Sequence, residues 1–415
     1  MRHQAIGQND LPLVPGQNSP PYIILCLVWI FFRDIIKENS RVFIIFIYIT
    51  GNSLTNHRKG INMPNAVSQT LPEQHEITRS APLLDENGNL REAGYARKLL
   101  PVYNRSDIKA GKLRIKEWDY YLVINDHYAV ALTIADNSYM GLDSISFLNF
   151  DERWEKTVSP IQILTMGKKN LPPSSSAGDV STKGKNYRIS FSHKDGKRVL
   201  DFRMDNFHEG KPISGHITLD NEPEESMVIA TPFHKKAHFY FNQKINCMTA
   251  EGSVKLGDYE YIFSPEDSYA VLDWGRGVWT YSNTWYWGSA SGVVDGVPFG
   301  FNIGYGFGDT SAATENMLFY DGKAHKLSNV SFNIPLGENG KEDYLKKWTF
   351  TSDDRRFEME FEPIIDRASC TSIVILKSDQ HQVFGRFAGN AVLDDGTVIS
   401  VKDFIGFAEK VVNKW

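Results

Sequence analysis

Asp273-Trp-Gly-Arg-Gly-Val-Trp-Thr-Tyr-Ser-Asn-Thr-Trp-Tyr-Trp287 places four of the nine tryptophans and two tyrosines in fifteen residues. Rings this dense either pack a core or line an apolar cavity, and the indole N–H and phenol O–H still need polar partners. Gly275 and Gly277 flank the single arginine, so backbone can approach closely where no side chain fits. Asp273 and Arg276 are spaced so that a tight turn at Gly275 would bring carboxylate and guanidinium together. Such a pair would form a polar anchor at the floor or seam of a cavity, or else a purely structural stitch at a domain junction.

The stretch belongs to a β-rich chain. Trp118–Ile124 and Tyr128–Ile134 are apolar runs joined by Asn125-Asp126-His127, a hairpin pattern. Asp-Gly turns follow at Lys194-Asp-Gly-Lys197, Val293-Val-Asp-Gly-Val-Pro298, Met317-Leu-Phe-Tyr-Asp-Gly-Lys323 and Val392-Leu-Asp-Asp-Gly-Thr397. Short strands at this spacing predict an all-β protein of antiparallel barrels or sandwiches. Lys168–Lys185 is rich in Gly, Pro, Ser and Lys and reads as a flexible loop. One helix is expected at the end, because Val401, Phe404, Ile405, Ala408, Val411, Val412 and Trp415 recur at helical spacing.

At 415 residues the chain exceeds one ordinary core. Two β domains are expected, over 85–265 and 266–415, with the boundary near Pro265. Residues 63–84 read as a polar, mobile arm. Residues 1–62 differ from the rest. Their apolar runs, Tyr22–Phe32 and Val42–Ile49, fall short of the roughly 20 residues a membrane helix needs. They read as a non-native extension upstream of Met63, or as a disordered or apolar leader. Membrane contact is expected only if they are a genuine part of the protein.

Net charge is -5 with both signs interspersed, which gives no nucleic-acid footprint. Cys26, Cys247 and Cys370 form no Cys-x-x-Cys, so a disulfide framework and a zinc ribbon are not expected, and a reducing, cytoplasmic compartment is. Gly304-Tyr-Gly-Phe-Gly308 lacks dinucleotide spacing, and no phosphate loop or nucleophile elbow is present. No cofactor and no metal is expected.

Several stretches together resemble the uncharacterised family DUF2804. They are Ala230-Thr-Pro-Phe233, His238-Phe-Tyr-Phe-Asn-Gln-Lys244, Asp273-Trp-Gly-Arg-Gly-Val-Trp279, Trp285-Tyr-Trp287, Gly306-Phe-Gly-Asp-Thr-Ser-Ala-Ala-Thr-Glu-Asn316 and Phe384-Gly-Arg-Phe-Ala-Gly389. The resemblance runs from about Thr70 to Trp415. That family looks distantly similar to paired lipocalin-like proteins, among them carotenoid hydratases and tocopherol cyclases. The resemblance implies two consecutive lipocalin-like barrels or curved sheets with apolar interiors, and it carries over no catalytic residue.

Residue chemistry adds candidates. Trp274, Arg276, Trp279, Trp285, Trp287, Asn302 and Tyr305 are the candidate ligand-binding set. Asp273, His238 and Glu315 are the candidate catalytic groups, each with a structural alternative. His234 and His238 would share one face of a strand, without a third metal ligand. Asp309, Glu315 and Asn316 lie in a polar loop that either rims a barrel mouth or simply caps a turn. The expected function is binding of a hydrophobic small molecule, lipid or isoprenoid-like, in an aromatic-lined cavity. Its rivals are an enzyme performing acid-base hydration, isomerisation or cyclisation of an apolar substrate, and a structural protein without a ligand.

Overall fold

In the computed structural model, which describes residues 73–373 and 376–414, nearly every element is an antiparallel strand. The turn chemistry explains the connections. Asp195, Asp295 and Asp321 have φ of 52°, 51° and 49°, and each is followed by a glycine with φ of 78°, 82° and 75°. Two successive positive φ values give the tight turn whose twist matches flanking strands, and the Asp-Gly sequence tolerates them. At the first hairpin the Asn125 side chain accepts hydrogen bonds from the backbone N–H of His127 and Tyr128, both at 3.0 Å.

Two sheets result. The larger runs from Trp154–Val158 through Met140–Asn149, Tyr128–Asp136, Ile115–Ile124, Tyr269–Val278, Phe239–Leu256, Lys211–Asp220, Lys197–His208 and Tyr187–Lys194 to Val180–Lys183. It curls around its own core, and its two margins meet through side chains. Trp154 stacks on His208 at 5.0 Å, and Gln162 Nε2 donates to the Thr182 and Tyr187 hydroxyls at 3.1 and 3.0 Å. The second sheet runs from Lys323–Lys326 through Met317–Tyr320, Val297–Tyr305, Ser282–Val294, Val398–Lys414, Leu376–Val392, Phe357–Ile373 and Trp348–Ser352 to Val330–Asn333. It wraps a phenylalanine-rich core that includes Phe299, Phe301, Phe350, Phe361 and Phe387.

The outer faces of the two sheets pack on each other, which creates a third apolar layer. Tyr120, Leu122 and Val271 of the first sheet meet Trp287, Phe384, Ile405 and Phe407 of the second. Strand Tyr269–Val278 is therefore buried on both faces along its whole length. The chain crosses from the first sheet to the second between Val278 and Ser282, within the tryptophan-rich stretch, whereas the expected boundary lay near Pro265. The described residues form one compact unit that holds both sheets.

Three expectations need correction. The C-terminal helix is instead the strand Val398–Lys414, paired with both Ser282–Val294 and Leu376–Val392. Its helical spacing has two causes. A bulge sets Lys402 and Asp403 opposite Ala388, with Asp403 at φ 52°, so the buried positions step from Val401 to Phe404. Beyond it both faces are covered, Phe404 and Ala408 by the second core and Ile405 and Phe407 by the seam. Trp415 lies outside the described residues. Nor does the Lys168–Lys185 segment behave as a flexible loop, because it plugs the first barrel. Leu171 is buried in its core, the Pro172 carbonyl accepts from Arg276 at 2.7 Å, and the Ser175 carbonyl accepts from Arg198 at 2.6 Å. The arm is docked from Gln74 on. Gln74 Nε2 donates to the Leu327 carbonyl at 2.7 Å, and its Oε1 accepts from Thr314 N–H at 2.7 Å. The apolar leader, residues 1–62, lies outside the described residues. Among the described residues no helix is long and apolar enough to cross a membrane.

Candidate functional site at the seam between the sheets

Residues three apart on a strand point to opposite faces. Asp273 and Arg276 accordingly do not pair, which corrects the anchor expected from their spacing. Arg276 points into the first barrel, where NH1 donates to Asp119 Oδ1 at 2.9 Å and to the Trp118 carbonyl at 2.8 Å. Its guanidinium lies 4.1 Å from the Trp274 ring centre, so Trp274 and Arg276 belong to that interior. Burial raises the Asp119 carboxyl, and the Arg276 charge opposes it.

Asp273 points the other way, into the seam. Directly across the ladder stands Lys244, whose Nζ is 3.3 Å from Asp273 Oδ2, while Asn242 Nδ2 donates to Oδ1. Tyr120 is the opposite neighbour of Asp273, so Tyr120, Asp273 and Lys244 form one cross-strand row on the first sheet. A second row faces it. Gly304, Trp287, Glu409, Gln382 and Arg367 stand opposite one another on five successive strands. The rows touch where Lys244 Nζ lies 3.7 Å from the Trp287 ring centre, and Tyr120 meets the same indole edge-on at 6.0 Å.

Each member of the second row is held by its neighbours. Trp285 Nε1 donates to Glu409 Oε1 at 3.0 Å, Gln382 Nε2 donates to Oε2 at 3.0 Å, and Arg367 NH1 donates to Gln382 Oε1 at 2.8 Å. Trp287 Nε1 donates to Asn302 Oδ1 at 2.7 Å, and Asn302 Nδ2 donates to the Glu315 carbonyl at 2.7 Å. The Glu315 carboxylate fills the space over Gly304, where a Cβ would lie 2.9 Å from its Oε1. Among the described residues, Glu315 Oε2 is buried without a hydrogen-bond partner.

Burial dominates the titration of Glu409, Glu315, Tyr240 and Tyr120. It pushes Glu409 up to about 7, against the Trp285 hydrogen bond and the Lys244 and Arg367 charges. Glu315 is raised for the same reason, with Lys244 opposing and Asp273 reinforcing. The Tyr240 phenol is held well above its usual range by burial and by Glu315, Asp273 and Glu409. Tyr120 is pushed up to about 12, chiefly by burial.

An aromatic box adjoins this cluster, and the two glycines of the opening stretch make room for it. A Cβ on Gly275 would come 1.9 Å from the Trp118 ring, and one on Gly277 would come 3.3 Å from Trp279 Nε1. Trp118 stacks with Tyr240 at 6.2 Å and meets Trp279 edge-on at 5.3 Å. Phe307 touches Tyr240 and Trp279 at 4.8 Å and Trp285 at 5.3 Å. These rings pack against one another. Two surface concavities lie outside the box, one of 730 Å³ lined by Glu338, Glu342, Tyr344 and Asp366, another of 680 Å³ lined by Gln74, His75, Tyr95 and Lys326. The second abuts the cluster, because Lys326 Nζ donates to Thr314 Oγ1 at 2.8 Å and to the Asn316 carbonyl at 2.7 Å, on either side of Glu315.

Of the candidate residues, Asp273, Glu315, Trp279, Trp285, Trp287 and Asn302 thus gather at the seam. Tyr305 does not, since it stacks on Tyr286 at 4.4 Å against the second core. His238 is buried just before the strand Phe239–Leu256, with Nδ1 2.9 Å from the Lys236 carbonyl, and His234 is exposed in the preceding bend. Asp309 caps a turn by accepting from Ser311 N–H at 3.1 Å. Lys244, Glu409, Gln382, Arg367, Tyr120, Trp118 and Tyr240 were not singled out by sequence. A lone acid inside the apolar run Phe404–Val412 was the available signal for Glu409.

A family model described as a domain of unknown function, DUF2804, matches residues 74–415. No curated protein sequence matches the chain. Among solved structures the chain is similar to kievitone hydratase from Nectria haematococca, at 10% identity and a TM-score of 0.46, over 81% of this chain and 98% of that one. It is similar to an AttH-type protein from Nitrosomonas europaea, at 11% identity and 0.48, over 80% and 98%. A third is CghA with Sch210972, at 9% identity and 0.42, over 80% and 97%.

Proposed function

The chain belongs to the DUF2804 family, and from that premise we propose that it binds a hydrophobic small molecule, lipid or isoprenoid-like, at the aromatic seam between its two sheets. The observation that carries this reading is the meeting of the Trp118, Tyr240, Trp279, Trp285 and Phe307 rings with the buried Asp273, Lys244, Glu315 and Glu409 groups. Binding sites combine apolar walls with a few convergent polar groups, and ionisable groups shifted by burial mark them out. A purely structural seam gains little from buried ion pairs, which are often no better than apolar packing of the same volume.

The rings are in mutual contact, so a ligand enters by displacing part of the wall. Phe307 and Glu315 sit on one segment between strands, and Gly306 and Gly308 at its start have φ of 93° and 80°. The 680 Å³ concavity reaches the same segment through Lys326. Titration with β-ionone, an apolar isoprenoid ketone, tests the reading. Saturable quenching of tryptophan fluorescence is expected, and it should be lost in the Trp279→Phe, Trp285→Phe double variant. A quench that survives in that variant would move the ligand away from the seam. Mass spectrometry of small molecules extracted from protein purified in its native host would identify the physiological ligand.

An enzyme of the same architecture is the second reading, favoured by Glu409, a fully enclosed carboxyl whose affinity for a proton suits exchange near neutral pH.

A further inference from the structure

Position in the second cross-strand row determines how Glu409 is presented. Arg367 donates to Gln382 Oε1, which turns the Gln382 amide so that Nε2 faces Glu409. Trp285 Nε1 takes the other carboxylate oxygen. Both oxygens are therefore held by neutral donors, and Glu409 is only 4% exposed. Across the seam the Lys244 ammonium is anchored on Asp273 and lies over Trp287, the ladder neighbour of Glu409. A base and a cation thus converge from two sheets beside an apolar box.

Resting on the seam reading above, the geometry points to Glu409 as the proton carrier of an isomerase acting on an apolar carbonyl compound, with Lys244 stabilising the oxyanion. The Glu409 carboxylate takes a proton from a carbon next to the carbonyl. The electron pair of that C–H bond forms a new C=C bond, and the C=O pair moves onto oxygen beside the Lys244 ammonium. Glu409, now neutral, trades its proton with solvent in a share of turnovers, then protonates another carbon of the conjugated system, and the C=O bond re-forms. Substrate and product have one formula, so no oxidant, reductant or second reactant enters. Gln382 and Arg367 act as positioning residues. The charged and titratable groups that face Glu409 are Lys244, Asp273 and Arg367, with the phenols of Tyr120 and Tyr240. Burial sets its proton affinity near that of neutral solution, where a general base works best.

The test is proton exchange on β-ionone in deuterated buffer, followed by NMR at the carbons next to the carbonyl. Wild-type protein should speed exchange over buffer by on the order of a hundredfold, the usual contribution of a positioned base. Glu409→Gln and Lys244→Met should each return it to near the buffer rate while far-ultraviolet circular dichroism shows the fold retained. Gln382→Leu removes one donor to the carboxylate, so the midpoint of the pH–rate profile should move upward from about 7. A merely structural Gln382 would lower the rate at every pH without moving that midpoint. Binding without exchange in the wild type overturns the assignment, as does exchange that survives Glu409→Gln. Absence of any β-ionone binding overturns the seam reading itself, and this inference with it.

Discussion

The Arg276 guanidinium is fully buried, and its carboxylate partner Asp119 lies on the neighbouring strand. Breaking such a pair from one side leaves an uncompensated buried charge, which costs about 3–5 kcal/mol. Arg276→Met and Asp119→Asn should each destabilise by roughly that amount in urea titrations, with the double variant losing less than the sum. Asp273→Asn should instead couple to Lys244→Met, and show no coupling to Arg276→Met, because the strand separates the two sites. Coupling between Asp273 and Arg276 would contradict the two-faced placement. Glu409 makes a separate prediction through pH. Its folded-state affinity for a proton is raised to about 7 from 4.5, so between those values the folded chain holds a proton that the unfolded chain has lost. Stability from this group is present below about 4.5 and falls as pH rises to about 7, by roughly 3 kcal/mol in all. Glu409→Gln should remove that fall, so the variant gains on the wild type between pH 5 and pH 8 in denaturant titrations. Parallel curves for the two proteins would count against the burial of this carboxyl.

The strand Val398–Lys414 shows what an element's sequence reveals and conceals. A glycine inside a helix is unfavourable by about 1 kcal/mol relative to alanine, so the helical reading expects Gly406→Ala to stabilise. In the strand a Cβ at Gly406 would lie 2.6 Å from the Ser289 carbonyl oxygen and 2.7 Å from Ala290 Cβ, with backbone on one side unable to give way. Gly406→Ala should therefore destabilise by about 1–3 kcal/mol in thermal or urea unfolding; a gain would revive the helix. The hairpins were legible because Asp-Gly dictates a local backbone geometry that no distant contact is needed to enforce. The C-terminal strand was not legible, because a bulge and burial on both faces erase the alternation that marks a half-covered strand. Lys168–Lys185 misled for a related reason. Its Gly, Pro and Ser content suits a chain path without regular hydrogen bonding, yet the Pro172 and Ser175 carbonyls are claimed by two buried arginines from elsewhere in the chain.

At the scale of the whole molecule, the sheet-by-sheet character was readable from turn spacing, whereas the seam was not. Its two rows join residues as far apart as Tyr120 and Glu409, and only the register of strands from both sheets aligns them. Asp273, Glu315, Trp285 and Trp287 could be marked as unusual in sequence, but their partners Lys244, Gln382 and Arg367 carry no local signal. The same arrangement governs stability. Apart from its partner, the first sheet would expose Tyr120, Leu122 and Val271 together with the Asp273–Lys244 pair, and the second would expose Ile405, Phe407 and Trp287. Exposed apolar faces of this kind favour association, and among the described residues each face covers the other. The chain should therefore unfold as one unit, with tryptophan fluorescence and far-ultraviolet circular dichroism giving coincident curves. Fragments 73–280 and 281–415, cut where the chain passes between the sheets, should each aggregate or remain partly folded alone. Expressed together they should recover a soluble complex in which Glu409→Gln has the same pH-dependent effect as in the intact chain. If fragment 73–280 alone unfolds cooperatively at the midpoint of the full chain, the seam contributes nothing to stability. Its charged rows would then have to be explained by ligand binding alone.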